Sequence, residues 1–320
     1  MKRRFFRLTC AVLSIYLSAA AVFARELIPV GQIIGLELSA GTVTVAAFDD
    51  ALTVARDSGL QVGDQILSID EASIVCAEDV RRALKHSDGS VEMVVSRKGK
   101  MQQIHMEPEI TSTGPKLGIY LKQGITGIGT VTYYDPETGD FGTLGHGVND
   151  SSGKLLPMSR GNVYPASIVS VQKGKSGSPG QLKGALKSDQ LLGSLSVNTA
   201  RGVFGKVSAG WHGNAVPTAD SDTVQLGPAS IRSTVNGNGP RDYSVEILKI
   251  YPKSRSDGRN LLIHVTDPTL LETTGGIVQG MSGSPIIQDG KLVGAVTHVL
   301  VNDPTKGYGI FIENMLDAAG

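Results

Sequence analysis

A serine held between glycines near the C-terminal end of the chain restricts the possible folds more than any other segment. Residues 280–285 read G-M-S-G-S-P, and a hairpin with an Asp289-Gly290 turn follows them directly. A tight glycine turn can expose the hydroxyl of Ser282 and leave neighbouring backbone N–H groups free. A serine nucleophile needs both, because its oxygen must reach a carbonyl carbon and N–H groups must hold the resulting oxyanion. The segment therefore predicts Ser282 as a nucleophile, with the N–H groups of Gly280 and Ser282 as its oxyanion hole.

A histidine in a comparable frame lies near the middle of the chain. His146 occurs in F-G-T-L-G-H-G-V, residues 141–148, and the glycines on either side permit close approach by a substrate and by Ser282. None of the other histidines stands in such a frame, so we expect His146 to act as the general base. A carboxylate should orient the imidazole and stabilise its cation. Spacing does not choose among the candidates, which are Asp140, Asp150, Asp189, Asp220, Asp222 and Asp267.

Two other serines and one cysteine are weaker candidates for the nucleophile. Ser176 stands in a second pattern, K-S-G-S-P, but a Pro-Gly pair breaks any strand after it and no Asp-Gly hairpin follows. Ser284 lies two residues beyond Ser282, where a hydrogen-bonding role is expected. Cys76 has no glycine-framed histidine near it and is expected to be a buried structural thiol. No H-E-x-x-H or similar spacing occurs, so the sequence predicts neither a metal site nor a cofactor.

The first 24 residues predict export. Four cations precede an apolar run at residues 8–23, and the small residues around Ala24 suit signal peptidase, so residues 1–24 are predicted to be a signal peptide or an uncleaved signal anchor. Cys10 lies inside this segment, which leaves Cys76 alone in the mature chain without a disulfide partner. Export without disulfides suits a bacterial protein. The formal net charge of zero gives no indication of a nucleic-acid partner.

The remainder of the chain is predicted to be mainly β. Short runs of Val, Ile, Leu and Thr alternate with Gly, Asp, Asn and Pro, and the 40 glycines suffice for many tight turns between strands. Residues 115–320 have a suitable length for two packed six-stranded barrels, which we assign to one catalytic domain. Residues 27–110 form a distinct α+β unit, with a helix predicted at residues 77–86.

The N-terminal unit resembles a PDZ domain. Its residues 58–70 read S-G-L-Q-V-G-D-Q-I-L-S-I-D, which carries the resemblance. In PDZ domains a peptide carboxylate docks on backbone amides of a glycine-containing loop, and the peptide adds a strand to the sheet. The resemblance implies that Gly35, Leu36, Glu37 and Leu38 form this loop. The alternative is that the unit only braces the catalytic domain.

Together these features closely resemble one family, the stage IV sporulation protein B (SpoIVB) serine peptidases of endospore-forming bacteria. The resemblance rests on the export segment, the PDZ-like unit, the F-G-T-L-G-H-G-V motif and the long block at residues 277–316, which runs from I-V-Q-G-M-S-G-S-P to E-N-M-L. It implies an N-terminal PDZ domain followed by a chymotrypsin-like double β-barrel, with His146 and Ser282 as the catalytic pair.

The resemblance also implies roles for three further residues. The acidic residue of the family falls shortly before the serine, which implies Asp267 as the third catalytic residue, although an Asp-Pro pair is also a common start of a turn. In barrel peptidases the strand that returns beside the serine borders the pocket for the residue before the cut. Thr297 and His298 on that strand are therefore expected to shape specificity, and the alternative for His298 is a structural strand histidine.

The function that the resemblance implies is an endopeptidase of sporulation signalling. Such an enzyme acts in the space between the forespore and mother-cell membranes, held there by residues 8–23 if these are uncut. It cuts itself and then a membrane protein that restrains an intramembrane metalloprotease, which leads to sigma factor activation, so its partners are protein substrates and a membrane-protein regulatory complex. Two alternatives are a general extracytoplasmic quality-control protease with a PDZ domain and a non-enzymatic PDZ peptide-binding protein.

Overall fold

A computed structural model describes residues 25–87, 89–150 and 153–320, so the predicted export segment and Cys10 lie outside the described residues. The described chain is mainly β, as the sequence predicts. Its strands are β1 (Glu26–Pro29), β2 (Ile33–Ser39), β3 (Val43–Phe48), β4 (Gln65–Ile69), β5 (Ala72–Ser73), β6 (Val91–Arg97), β7 (Lys100–Met106), β8 (Glu109–Thr111), β9 (Gly114–Lys116), β10 (Ile119–Lys122), β11 (Ile125–Tyr134), β12 (Asp140–Thr143), β13 (Arg160–Gln172), β14 (Gln181–Leu186), β15 (Gly193–Thr199), β16 (Gly202–Val207), β17 (Val216–Pro217), β18 (Gly227–Ser233), β19 (Arg241–Ile250), β20 (Leu261–Val265), β21 (Pro285–Gln288), β22 (Lys291–Leu300) and β23 (Asp303–Phe311). Its helices are α1 (Val54–Asp57), α2 (Ala77–His86), α3 (Pro268–Thr274) and α4 (Ile312–Ala319).

The C-terminal part of the chain forms a closed barrel. Its six strands follow the order β18-β19-β20-β23-β22-β21. Strand β19 shows the pattern that makes a barrel wall, because Tyr243, Val245 and Ile247 are buried while the residues between them are exposed. Apolar side chains at every second position fill the interior and leave the polar ones to solvent.

A second ring of six strands lies beside it. Antiparallel pairings run β2-β11-β12-β16-β15-β13 and return from β13 to β2, so this sheet also closes on itself. Its buried interior includes Ile34, Val131, Phe141 and Val163. The two closed rings agree with the predicted double β-barrel.

The two barrels share a third apolar cluster. Its buried members come from both barrels and from helix α4, and they are Leu27, Tyr133, Phe204, Leu292, Ala295, Ile310, Ile312 and Met315. Because this cluster is continuous across the junction, residues on facing edges of the two barrels keep fixed positions relative to one another.

The predicted domain boundaries differ from the structure. Strands β1 and β2, assigned from sequence to the N-terminal unit, instead pair with β11 and β13 of the first barrel and with the short strand β17 beside it. The separate α+β unit has its own six-stranded sheet, made of β3–β7 and β10, and its own core with α1 and α2. It is therefore an insertion between β2 and β11. We call residues 43–122 the inserted unit.

The predicted peptide-binding loop is corrected by the same pairing. Gly35, Leu36, Glu37 and Leu38 lie inside β2, with β11 on one edge and β13 on the other. Both edges of the strand are already hydrogen-bonded, so no peptide strand can add to it. The short apolar run of β2 suits any buried strand, and the sequence carries no signal for which sheet receives it.

Cys76 also differs from its prediction as a buried structural thiol. It is partly exposed and immediately precedes α2, where the Asp79 carboxylate accepts hydrogen bonds from the N–H groups of Val75 and Cys76. The Cys76 thiol and these two N–H groups lower the pKa of Asp79.

In the part of the chain that the structure describes, no helix has the length and apolar character needed to span a membrane.

Candidate active site

The turn that carries Ser282 depends on two glycines. Gly280 and Gly283 have φ values of 100° and 97°, in a region that favours glycine. A Cβ on Gly283 would lie 1.9 Å from the carbonyl oxygen of Thr130 in the first barrel. The N–H of Gly283 donates to Val296 O at 2.8 Å, and the fully buried Met281 anchors the turn in the second barrel. The turn therefore fits tightly between the barrels.

Two buried threonines of β11 hold the turn from the first barrel. Thr130 donates from its N–H to Ser282 O at 3.0 Å and from its hydroxyl to Gly280 O at 2.8 Å. The hydroxyl of Thr132 donates to Gly283 O at 2.8 Å. The carbonyl groups of the turn are thus occupied, whereas the N–H groups of Gly280 and Ser282 donate to no other residue that the structure describes. These two N–H groups are available for an oxyanion, as the sequence predicts for them.

The loop after β12 carries His146 towards the second barrel. Leu144 and Gly145 have φ values of 68° and 66°, which turn the chain sharply after the strand. A Cβ on Gly145 would lie 2.9 Å from a methyl carbon of Thr297, so only glycine permits this approach to β22. The buried side chain of Asn198 fixes the far end of the loop by accepting from Val148 N at 2.9 Å and donating to Val148 O at 2.8 Å.

The hydrogen bond of His146 defines its tautomer. Its Nδ1 lies 2.9 Å from the carbonyl oxygen of Gly147, which can only accept, so Nδ1 carries the proton. The neutral ring then keeps a lone pair on Nε2, where a general base needs it. Burial lowers the pKa of His146, and the bond to Gly147 opposes this in part. A pKa below the ordinary value of about 6.5 favours the neutral imidazole that a general base needs.

The structure places His146 and Ser282 on one cavity of about 340 Å³ between the barrels. Its apolar wall comes from the first barrel and comprises Leu36, Leu38, Ile125, Ile128, Leu144 and Val148. Gln279 and Gly280 complete the rim beside the serine. In this resting arrangement the hydroxyl of Ser282 donates to Thr297 O at 2.7 Å. Attack on a substrate therefore requires the hydroxyl to turn from Thr297 to His146.

Asp267 does not meet His146, which corrects its predicted place in the site. Its side chain caps α3, accepting from Leu270 N at 2.9 Å and, more weakly, from Ser244 N at 3.4 Å. This is the ordinary use of an Asp that precedes a helix beginning with proline. Within the described part of the chain, His146 makes no hydrogen bond to any carboxylate. Asp267, the third member that the resemblance implies, thus makes its side-chain hydrogen bonds to backbone N–H groups and not to His146.

Thr297 and His298, predicted to shape specificity, lie against the catalytic pair itself. Thr297 O accepts from Ser282, and the ring of His298 packs on that of His146 with centroids 5.1 Å apart. Whether these residues also select substrates stays a prediction. Sequence reasoning missed Thr130, Thr132 and Asn198; the alternation of Thr130 and Thr132 on one face of a strand was the available signal for the first two.

The rival serines have other partners. The hydroxyl of Ser176 donates to Asn302 O at 2.8 Å in an exposed loop. That of Ser284 donates to Ser233 Oγ at 3.0 Å in the core, which is the hydrogen-bonding role expected for it. Among residues 25–87, 89–150 and 153–320, no three His, Cys, Asp or Glu side chains are grouped so as to hold a metal ion.

Comparison with known proteins gives one family and several distant relatives. A family model described as SpoIVB peptidase S55 matches residues 114–316. A putative zinc metalloprotease, R01501 of Rhizobium meliloti (strain 1021), is 23% identical over 253 residues, which cover 79% of this chain and 57% of that protein. The chain thus spans little more than half the length of this curated relative.

The solved structures to which the chain is similar are also distant in sequence. The active form of the Rv3671c protease from M. tuberculosis is 14% identical, with a TM-score of 0.37 over 61% of this chain and 75% of that chain. The HtrA-type protease AlgW with a tripeptide is 14% identical, with a TM-score of 0.36 over 60% of this chain and 54% of that chain.

Proposed function

The chain belongs to the SpoIVB peptidase S55 family and is a serine peptidase that acts on proteins, and from this premise we propose that it is an exported endopeptidase of sporulation signalling. It cleaves itself and then a membrane-bound regulator of an intramembrane metalloprotease, which leads to activation of a sigma factor. It works in the space between the forespore and mother-cell membranes. Its partners are its own chain and the membrane-protein complex that contains the regulator.

We assign the chemistry to His146 and Ser282. Nε2 of His146 takes the proton of the Ser282 hydroxyl as its oxygen attacks a peptide carbonyl. The imidazolium then gives that proton to the leaving amine as the C–N bond breaks and the acyl enzyme forms. His146 next takes a proton from water, whose oxygen attacks the acyl carbonyl, and returns it to Ser282 as the acid product leaves. The N–H groups of Gly280 and Ser282 hold the oxyanion, each worth about 3 kcal/mol. The observation that carries this assignment is the shared cavity. It brings together His146, whose Nδ1 is bonded to Gly147 O, and Ser282, on a turn whose Gly280 and Ser282 N–H groups donate to no other described residue.

Two alanine variants test the nucleophile against a matched control. Ser282→Ala should abolish labelling by a fluorophosphonate probe and all self-cleavage, because it removes the hydroxyl that attacks. Ser176 stands in K-S-G-S-P, the other S-G-S-P segment of the chain, and Ser176→Ala should leave both labelling and self-cleavage unchanged. New N-termini are mapped by mass spectrometry. Labelling that survives Ser282→Ala would overturn the assignment.

The sporulation role has its own readout. When the full chain is incubated with a panel of folded, unfolded and membrane-embedded proteins, we expect cleavage of itself and of very few membrane proteins. Broad digestion of unfolded proteins would contradict this role and indicate a quality-control protease. An active enzyme that cuts no membrane protein would also contradict the signalling role while leaving the peptidase assignment intact.

We further propose that the inserted unit binds peptide C-termini, at a place different from the loop predicted from sequence. Strand β10 is the edge of its sheet, and α2 lies beside it. A groove of about 700 Å³ runs between them, lined by Val80 and Leu84 of α2 and by residues 117–121. Gly118 turns the chain into β10 with a φ of 69°. Among the described strands β10 pairs only with β3, and its other edge beside the apolar face of α2 suits a peptide that adds a strand to the sheet.

A pair of peptides tests this groove. A fluorescent peptide with a free carboxylate and an apolar last residue should bind, and the same peptide with an amidated end should bind at least tenfold more weakly. Gly118→Ala should remove binding, because its Cβ would lie 2.1 Å from Leu52 O. Gly59→Ala, where an added Cβ meets no atom within 4 Å, is the control. Equal binding of both peptides contradicts the proposal.

A further inference from the structure

The peptide unit between Gln279 and Gly280 sets the direction of one oxyanion donor. A trans peptide unit is planar, so its carbonyl oxygen and its N–H point in opposite directions. The described part of the chain contains no cis peptide bond, so this rule applies to the unit of Gln279 and Gly280. A contact that fixes the carbonyl oxygen of Gln279 therefore also fixes the direction of the Gly280 N–H.

This peptide unit would rotate easily if nothing held it. Gly280 has a φ of 100° and no side chain to hinder rotation about its backbone bonds. The next residue, Met281, is fully buried, and its side chain brings no charged or hydroxyl group to the turn. A half-turn of the unit would direct the Gln279 carbonyl oxygen towards the oxyanion and withdraw the Gly280 N–H. One of the two oxyanion donors would then be replaced by an acceptor.

The start of β14, which pairs with β13 of the first barrel, holds the unit by two backbone hydrogen bonds. The Leu182 N–H donates to Gln279 O at 2.8 Å, and the Gln279 N–H donates to Gly180 O at 2.9 Å. Gln181 and Gln279 thereby form a parallel β-bridge. The Leu182 bond keeps the Gln279 carbonyl oxygen away from the oxyanion and leaves the Gly280 N–H directed to the other side of the unit.

The side chain of Leu182 anchors this contact. It is fully buried and belongs to the core cluster of the second barrel, together with Ile277, Val278 and Met281 from the segment around the turn. A Cβ on Gly280 would lie 3.1 Å from the Cβ of Leu182, so the two backbones approach closely. Because the interior is close-packed, Leu182 cannot shift without displacing the oxyanion turn.

The loop before β14 holds the other end of the same segment. The Gly174 N–H donates to the carbonyl oxygen of Thr274, the last residue of α3, at 2.8 Å. A Cβ on Gly275 would lie 2.5 Å from Gly174 O. The hairpin of β13 and β14 therefore contacts the chain both where it leaves α3 and where it enters the oxyanion turn, whereas the tip of the hairpin, residues 175–178, is exposed.

Building on the proposed function, we propose that Leu182 is a positioning residue of the oxyanion hole. Its N–H holds the peptide unit of Gln279 and Gly280 in the orientation that offers the Gly280 N–H to the oxyanion, and its side chain anchors that contact in the core. The hairpin of β13 and β14 thus supports catalysis although none of its residues lines the catalytic cavity.

The test uses the full chain and a fluorophosphonate probe, whose phosphonyl oxygen occupies the oxyanion hole when Ser282 reacts. The rate constant of labelling at saturation, the probe concentration for half-saturation and the pH dependence are measured. Leu182→Pro removes the N–H that holds Gln279 and keeps an apolar side chain. We expect the rate constant to fall roughly thirtyfold or more, since loss of a complete oxyanion donor costs about 10²–10³ in rate. The half-saturating concentration should change less than twofold, and the pH profile should not move, because His146 keeps its surroundings.

Leu192→Pro is the matched control. The Leu192 N–H donates to Val163 O at 2.8 Å, and neither residue lines the catalytic cavity. The same leucine-to-proline change thus removes a backbone hydrogen bond of equal length elsewhere in the first barrel. Labelling of this variant should stay within twofold of the unaltered protein.

Three results would overturn the positioning role. They are labelling of Leu182→Pro within twofold of the unaltered protein, an equal fall in Leu192→Pro, and a displaced pH profile, which would indicate an effect through His146. In each case, loss of labelling in Ser282→Ala still supports the proposed peptidase chemistry. Should Leu182→Pro not fold, the α-hydroxy acid of leucine at position 182 decides, because it replaces only the N–H by an oxygen. An unchanged rate in that protein overturns the role equally.

Discussion

Replacing Asp267 separates two roles that the sequence and the structure give it. As a helix cap, its carboxylate accepts from Leu270 N at 2.9 Å and makes a weaker contact with Ser244 N at 3.4 Å. Losing one good cap bond lowers the free energy of unfolding by about 1 kcal/mol. As the orienting member of a catalytic triad, its loss would instead reduce kcat by roughly 10⁴-fold.

Asp267→Asn decides between these roles, because asparagine caps helices about as well as aspartate but cannot stabilise an imidazolium. We expect Asp267→Asn to keep both stability and peptidase activity close to those of the unaltered protein. Asp267→Ala should lose about 1 kcal/mol in urea unfolding and keep most of its kcat. Cleavage of a peptide that spans the mapped self-cleavage site supplies the activity. A fall of a thousandfold or more in Asp267→Asn, with unfolding unchanged, would refute the capping role and restore Asp267 to the site.

Three further predictions concern the turn that carries Ser282, the two buried histidines and the ion pair between Arg25 and Asp135. Gly283→Ala should reduce fluorophosphonate labelling at least tenfold because its Cβ meets Thr130 O, whereas Gly290→Ala, with no atom within 4 Å, should not. Burial lowers the pKa values of His146 and His298, so below about pH 6.5 the unfolded chain binds protons more readily than the folded one. The free energy of unfolding should therefore fall as the pH drops from about 6.5 towards 4. Equal urea midpoints at pH 7.5 and pH 5 would contradict this. Arg25→Ala removes the cation 2.6 Å from the buried carboxylate of Asp135 and should lower the free energy of unfolding by about 2 kcal/mol. In a protein that already carries Asp135→Asn, the same Arg25→Ala change should cost less.

The serine and the histidine could be found from sequence because each depends on local backbone geometry. Gly280, Gly283 and Gly145 permit sharp turns and close approaches that other residues would prevent, and such needs are visible in a linear pattern. The oxyanion N–H groups follow from the same turn. The mainly β character was accessible from the short alternating strands, and the double β-barrel was implied by the family resemblance.

The pairing of distant strands was not accessible. Strand β2 meets β11 and β13 across about a hundred residues of intervening chain, and its apolar residues would suit either the inserted unit or a barrel. Asp267 was assigned from the family resemblance alone, and an Asp-Pro pair that begins a helix is equally the pattern of a helix cap. His298 was predicted to border the specificity pocket, but its ring contact with His146 was not predicted, because that contact arises from the packing of one barrel on the other.

The position of the inserted unit between two paired strands predicts that the two barrels can fold without it. Leu38 pairs with Ile125, so the strands on either side of the inserted unit leave the barrel side by side. The inserted unit has its own core, separate from those of the barrels. Replacing residues 40–123 by Asn-Gly should therefore join β2 to β11 as a two-residue hairpin. We expect this shortened protein to unfold cooperatively and to label at Ser282, and to lose binding of C-terminal peptides. Because residues of β2 and β11 also line the catalytic cavity, any change in labelling rate measures how strongly the inserted unit affects the positions of these two strands. A shortened chain that neither folds nor labels would show instead that the unit is an integral part of the catalytic fold.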